Sequence, residues 1–259
     1  MKLNKTILRN FNKDGFILIK NLIKKNDLKS ISKRLLHLSK SQKDGRGLSE
    51  PGTKKSLVHS IHNDIILNKI IKKNWYNDIS CHLLGCKNIY TWNAKSNLKK
   101  RWIGSAEYFH QDYIYWKGLG FKSSNMINCM IFVDDHSHYN AGLWVFPKSH
   151  KKMYKHDKFL NINSLQKFFI KPNILDELNK KEPAVPIQAK AGSCLFFHSM
   201  LIHGSSHNIS SNNRRILLYD ISNLKDYKSL KKDKIQSFNR KERIKYELMH
   251  LKKRINLLR

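Results

Sequence analysis

Acidic residues are scarce. The 259-residue chain has 19 Asp and Glu against 50 Lys and Arg, a formal charge of +31, and a pI near 10.0. Such an excess draws anionic partners, nucleic acid or an anionic membrane surface first among them. The lysines are spread along the whole chain, however, among many Asn and Ile, the residues of AT-rich codons. The charge therefore reads as genome bias with a mild preference for anionic ligands. Cysteine is scarce too. Cys81, Cys86, Cys129 and Cys194 form no C-x-x-C pair, so they read as small buried hydrophobes in a reducing compartment. No apolar run approaches the ~20 residues that span a bilayer; "CLFFHSMLI" is far too short. The opening "MKLNKTILRNFNKDGF" has charges and Asn where a secretion signal needs an apolar stretch. A cytoplasmic protein without a membrane span is expected. No internal repeat is evident.

Hydrophobic residues make up 40% and aromatics 10%, too much for a disordered chain. One domain is expected over 1–259. Residues 1–88 read as a wrap of helices and a strand. In it "DGFILIKNLI" is a short buried strand after an Asp-Gly turn. Leu28, Ile31, Leu35 and Leu38 then fall at helical spacing behind Asn26 or Asp27 as cap. Residues 45–56 form a Gly/Ser/Pro loop. Helix returns over 57–86, with Ile61, Ile65, Leu67, Ile70 and Ile71 on one face. From 89 to 222 short apolar or alternating runs are split by Gly, Asn, Pro and Ser, the pattern of a sandwich or barrel. An insertion at 151–182 is partly helical around "NILDELNKK", and 223–259 is a basic helical tail.

The chemistry concentrates in "EYFHQDYIYW", 107–116. In a strand, residues i and i+2 share a face. His110 and Asp112 can then converge on one ion, as two sites of a 2-His-1-carboxylate set. A third ligand stands in "FFHSMLIHGSSHNISSNNRR": His203 ends an apolar strand, Ser205 offers a hydroxyl, and Arg214 enters the next strand eleven residues on. Arginine's fork holds a carboxylate bidentately and does not titrate away. Arg215 takes that place if a bulge shifts the register. His62-x-Asp64 repeats the triplet inside a helical pattern, where i and i+2 diverge by about 200°, so those two read as surface residues. His136 and His138 fall in a polar turn, His198 faces away from His203, and His207 is in a loop.

These residues resemble the phytanoyl-CoA dioxygenase family of Fe(II)/2-oxoglutarate oxygenases, ectoine hydroxylases included. The resemblance rests on "FNKDGFILIKNLIKKNDL", "HQD", "NAGLWVFPKSHK" and "AGSCLFFHSMLIHGSSHNISSNNRR". Two departures are small: Ala141-Gly142 displaces a glycine, and Lys148 replaces the glycine before Ser149. The resemblance implies a mainly β protein with flanking helices around a double-stranded β-helix, a cupin-like jelly roll. It implies Fe(II) on His110, Asp112 and His203, with 2-oxoglutarate on Arg214, Ser205 and Asn97, and O2 as oxidant. It also places Trp116 in the substrate pocket, with Tyr113 near it and Asn93 within reach of substrate. Parity along a regular strand favours Trp116 over Tyr113. The retained Asp112 argues for hydroxylation over halogenation. The substrate implied is a small molecule, and the charge favours an anionic one: an acyl-CoA, an amino-acid or ectoine-like compound, or a secondary-metabolite intermediate. Two rivals are an oxygenase acting on nucleic acid, suggested by +31, and a non-catalytic jelly-roll binding module. The 91-residue interval from Asp112 to His203 is wider than nucleic-acid demethylases use.

Overall fold

The computed structural model describes residues 5–40, 47–49, 56–59, 61, 64–158 and 168–230. In chain order, α1 (Lys5–Asp14) turns at Gly15 into β1 (Phe16–Ile19), and α2 (Lys25–Lys40) follows. Next come β2 (Gly47–Ser49), β3 (Ser56–His59), α3 (Asn74–Leu84), β4 (Ile89–Lys99), β5 (Glu107–His110) and α4 (Tyr113–Gly118). Then follow β6 (Met126–Phe132), β7 (Leu143–Val145), β8 (His156–Lys158), β9 (Phe168–Ile170), α5 (Pro172–Lys181) and β10 (Val185–Pro186). The last elements are β11 (Cys194–His198), β12 (His203–Ser205), β13 (Arg214–Asn223) and α6 (Leu224–Lys228).

Two antiparallel sheets face each other in a double-stranded β-helix. The larger runs β1-β11-β6-β13-β4-β3-β2 and the smaller β10-β7-β12-β5. Alternation sorts the side chains. Met130, Phe132, Leu195, Phe197, Ile216 and Leu218 meet Leu143 and Val145 of the smaller sheet. Their neighbours Cys129, Ile131, Phe196, Leu217, Tyr219 and Ile221 pack under the helices with Ile31, Leu35, Tyr76 and Ile79. The large sheet is covered on both faces, so β6 and β13 read as nearly unbroken apolar runs. Each such side chain stabilises the fold by about 1.5–3 kcal/mol through burial. Tyr219 ties the layers together: its ring meets Tyr76 edge-on at 5.8 Å, and its hydroxyl donates to the Leu67 carbonyl at 3.1 Å.

Three expectations change. The helix expected over 57–86 shrinks to α3, which ends where Gly85 turns left-handed at φ 62. Ser56–His59 is instead a strand, paired to β4 with Val58 opposite Ser96, because an open sheet edge outweighs helical spacing. The loop expected at 45–56 contains β2. Asp64 is not a surface residue. It is 3% exposed, its carboxylate accepts from Ile66 and Leu67 backbone N–H groups, and Arg34 pairs with it at 2.7 Å. His62 and residues 231–259 of the expected tail lie outside the described residues. Among the described residues no helix is long and apolar enough to cross a membrane.

Candidate active site

The run "EYFHQDYIYW" is two elements. β5 stops at His110, and α4 starts at Tyr113. Asp112 is the residue ahead of that helix, with φ −61 and ψ −32. The shared-face argument for His110 and Asp112 therefore gives way to a corner. The strand delivers the imidazole, and the turn swings the carboxylate back beside it. His203, the first residue of β12, is the register partner of His110. His110 Nε2 lies 3.5 Å from one Asp112 oxygen, and His203 Nε2 lies 3.7 Å from the other. One ligand atom from each of the three residues falls within 4.8 Å of the others. The imidazoles are oriented alike: His110 Nδ1 is 2.8 Å from the Tyr108 carbonyl, and His203 Nδ1 is 3.0 Å from the Leu201 carbonyl. A carbonyl only accepts, so the proton belongs on Nδ1 and each Nε2 lone pair points inward. Burial works against charge on Asp112, yet His203, His110 and Lys95 outweigh it and hold the carboxyl well below its ordinary value. Two imidazoles that present Nε2 and one ionised carboxylate, nearly closed off from solvent, fit a non-haem Fe(II) site with positions left for ligands.

Neighbouring groups fix this corner. Asn128 of β6 donates to Asp112 Oδ2 at 2.8 Å. Gln111, between the ligands, is wholly buried. Its amide donates to the Lys152 and Met200 carbonyls and accepts from the Tyr154 N–H. Its own N–H donates to His156 Nε2 at 3.0 Å. Ser149 Oγ accepts from the Ile202 N–H at 2.9 Å, just before His203. Gly204 explains the glycine after that histidine. A Cβ there would come 2.9 Å from the Glu107 carbonyl and 3.1 Å from the Phe109 nitrogen, closer than β12 and β5 allow.

One strand over, the site is cationic. Arg214 opens β13 opposite Lys99, and Asn97 faces Ile216. Arg214 is 3% exposed and Lys99 fully buried. Lys99 Nζ sits 2.5 Å from Ser205 Oγ. One Arg214 nitrogen donates to the Ala141 carbonyl at 3.0 Å, while its Nε and the Asn97 carbonyl oxygen are buried without a hydrogen-bond partner. Burial pulls Arg214 down to about 10 against the pull of Glu107 and Asp134. His136 is driven well below its ordinary value by burial, then by the charges of Arg214 and Lys99. Two buried cations beside unfilled polar atoms suit the far carboxylate of a dicarboxylate.

Residues 11–216 match the family model of the phytanoyl-CoA dioxygenases (PhyH). The chain belongs to the phytanoyl-CoA dioxygenase family. It is accordingly an Fe(II)- and 2-oxoglutarate-dependent dioxygenase. It is 24% identical over 223 residues to L-proline trans-4-hydroxylase of Streptomyces griseoviridis, covering 80% of this chain and 82% of that one. It is 25% identical over 227 residues to ectoine dioxygenase of Stutzerimonas stutzeri, covering 82% and 74%. Among solved structures, EctD from S. alaskensis with bound Fe superposes with a TM-score of 0.76 at 18% identity, over 89% of this chain and 79% of that one. The carbocyclase SnoK from nogalamycin biosynthesis gives 0.69 at 16%, over 85% and 84%.

Both departures from the family's glycines carry backbone strain. Ala141 has φ 64 and Lys148 φ 65, where a side chain costs about 1 kcal/mol. Ala141 is also the residue whose carbonyl holds Arg214. Of the predicted site residues, His110, Asp112 and His203 converge, and Arg214, Ser205 and Asn97 line the cationic end. Asn93 donates to Asp220 at 2.7 Å. Trp116 is in α4, not a strand, 4% exposed, with its ring edge-on to Trp92 at 5.5 Å. Tyr113 is drawn into that same cluster, and its hydroxyl meets the Phe121 and Lys122 carbonyls. The parity that set Trp116 above Tyr113 does not apply once the strand ends. Arg215 faces the other side, locked on Asp134 by three hydrogen bonds. Sequence reasoning missed Lys95, Lys99, Asn128, His136 and Asp220. The signal for the lysines was available: Asn93, Lys95, Asn97 and Lys99 alternate along β4 as inward polar residues.

Proposed function

We propose that this dioxygenase hydroxylates a small molecule of amino-acid or ectoine-like size, with iron on His110, Asp112 and His203 and the cosubstrate on Arg214, Lys99, Ser205 and Asn97. The observation that carries the assignment is a buried two-His-one-Asp cluster beside paired buried cations. The relatives named for L-proline and ectoine support the size of the substrate. When bound, Fe(II) with 2-oxoglutarate supplies the oxidising power, decarboxylating the cosubstrate to succinate and delivering one oxygen atom of O2 to the substrate. The chain's own residues do the rest. The Tyr108 and Leu201 carbonyls keep the imidazoles in the tautomer that can ligate. Asn128 holds one Asp112 oxygen, so that the carboxylate stays fixed. Arg214 and Lys99 orient the dicarboxylate from its far end. The burial of His110, Asp112 and His203 keeps water from the reacting groups.

Purified protein reconstituted anaerobically with Fe(II) is expected to convert 2-oxoglutarate to succinate on exposure to O2. His203→Ala removes one of three ligands and should lower iron affinity by more than about 100-fold. Wild-type protein that neither binds iron nor turns over 2-oxoglutarate would overturn the assignment.

A further inference from the structure

The inward face of β4 carries four polar residues at alternate positions: Asn93, Lys95, Asn97 and Lys99. Asn97 and Lys99 lie at the end where Arg214 and Ser205 gather. Asn93 and Lys95 lie further along, about 6–7 Å per pair of residues. Opposite Asn93 stands Asp220. It is 1% exposed, and burial raises its carboxyl to about 6. One of its oxygens accepts from Asn93, and the other is buried with no partner. Lys95 is half-buried and lies in the field of Asp220, Asp112 and Glu107. Its ammonium nevertheless makes no hydrogen bond or ion pair among the described residues.

An enclosed lysine and aspartate usually close into a salt bridge, because each otherwise loses hydration without replacement. Here they share one side of the cavity and do not touch. The wider charge count points the same way. Lys95, Lys99 and Arg214 stand against Asp112, Asp220 and Glu107, and the two charges of Fe(II) stand against the two of 2-oxoglutarate. A loaded site is therefore balanced, and a substrate with net charge would disturb it.

Resting on the function proposed above, we propose that the primary substrate is a compact zwitterion, its carboxylate taken by Lys95 and its cationic nitrogen directed to Asp220 and Asn93. The pair spans the substrate, and the hydroxylated carbon lies on the side facing His110, Asp112 and His203. This excludes acyl-CoA thioesters, whose phosphates carry only negative charge to the site, and neutral terpenoid or sugar substrates.

The test uses the full chain with Fe(II) and 2-oxoglutarate, anaerobically, following the metal-to-ligand absorption band as probes are added. The probes are L-proline, the other common L-amino acids and ectoine, each beside single-charge counterparts: L-prolinamide as cation and tetrahydrofuran-2-carboxylate as anion. Zwitterions should perturb the band and stimulate succinate release, and their single-charge counterparts should not. Lys95→Met and Asp220→Asn should each weaken the response to the active zwitterion by about 10–100-fold, the loss of one charged hydrogen bond. The iron-2-oxoglutarate band should still form in both variants. Absence of that band in wild type would instead be failure of the proposed cofactor site. Three results would overturn the zwitterion site: no zwitterion acting while the band forms, single-charge analogues acting equally well, or Lys95→Met weakening 2-oxoglutarate instead. A merely structural pair would lower the unfolding temperature without changing which probes act.

Discussion

The same two strands, β4 and β13, line both ends of the cavity, and the two ends differ in charge. At one end Lys99 and Arg214 are register partners, and both are buried cations. At the other Asn93 and Asp220 are register partners, with Lys95 alongside. The first end is built to be incomplete without an anion. The second carries both signs and is close to neutral alone. Strand pairing, not sequence proximity, creates the contrast: the partners are more than a hundred residues apart. Parity does the rest. Arg214 and Arg215 are neighbours, yet Arg214 points into the cavity while Arg215 turns outward to Asp134 and Ser32.

The sharpest way to break this comparison is at those two arginines. Arg214→Met should raise the KM for 2-oxoglutarate by about 100-fold, because a charge-assisted bidentate contact is worth about 3 kcal/mol. The same change at position 215 should leave that KM within about twofold. It should instead cost about 2 kcal/mol of stability in urea unfolding, since Asp134 loses a half-buried partner. If both variants raise KM alike, the division between inward and outward arginine is wrong.

The mixed end is read through pH. Burial lifts the Asp220 carboxyl to about 6, above the ~3.9 of an unfolded Asp. Between these values the folded state holds the proton and the unfolded state does not. This group's contribution to stability therefore falls as pH rises from ~4 to ~6, and stays constant above. Lys95, Asp112 and Asn93 are the groups that face it. Asp220→Asn removes the titration. The urea midpoints of variant and wild type should shift relative to each other by about 2 kcal/mol, in the variant's favour, between pH 4 and pH 7. A constant difference across that range would mean that burial does not raise the Asp220 carboxyl above its unfolded value.

Much of this was legible in the chain itself. The order His110, Asp112, His203, Arg214 and the glycine after His203 carried the fold and pointed to the three side chains that the structure brings together. The alternating polar face of β4 was visible too, but an inward lysine reads as a solvated one until the opposite sheet is in place. What failed was local. "HQDYIYW" has a strand's aromatics, yet Asp112 bends the chain because a corner brings its carboxylate to two imidazoles. Ser56–His59 has helical neighbours, yet an unpaired β4 edge recruits it, a tertiary choice that periodicity does not contain. Asp64 looked like an exposed decoy because Arg34, its partner, lies thirty residues away. The strained φ of Ala141 and Lys148 was hidden for a further reason: a backbone angle leaves no mark on a residue that tolerates it at about 1 kcal/mol.

The smallest effect sharpens the cationic end itself. Lys99 and Arg214 are both buried there, but they are not equivalent. Arginine offers a planar fork to two oxygens, whereas lysine offers a point charge already held by Ser205. Lys99→Met keeps the length and apolar stem while removing the charge. It should raise the KM for 2-oxoglutarate by about 10-fold, one power of ten below Arg214→Met, in line with about 1.4 kcal/mol for a single charge that does not chelate. Lys99→Arg should not restore the wild-type value, because the larger fork has no room between β4 and β12. Should Lys99→Met change unfolding but leave KM untouched, Lys99 is a structural partner of Ser205, and the cationic end reduces to Arg214 alone. The contrast between the two ends would then be one arginine against a lysine-aspartate pair, and Ser205→Ala, which removes the hydroxyl beside the Lys99 ammonium without removing its charge, would leave 2-oxoglutarate binding unaltered as well.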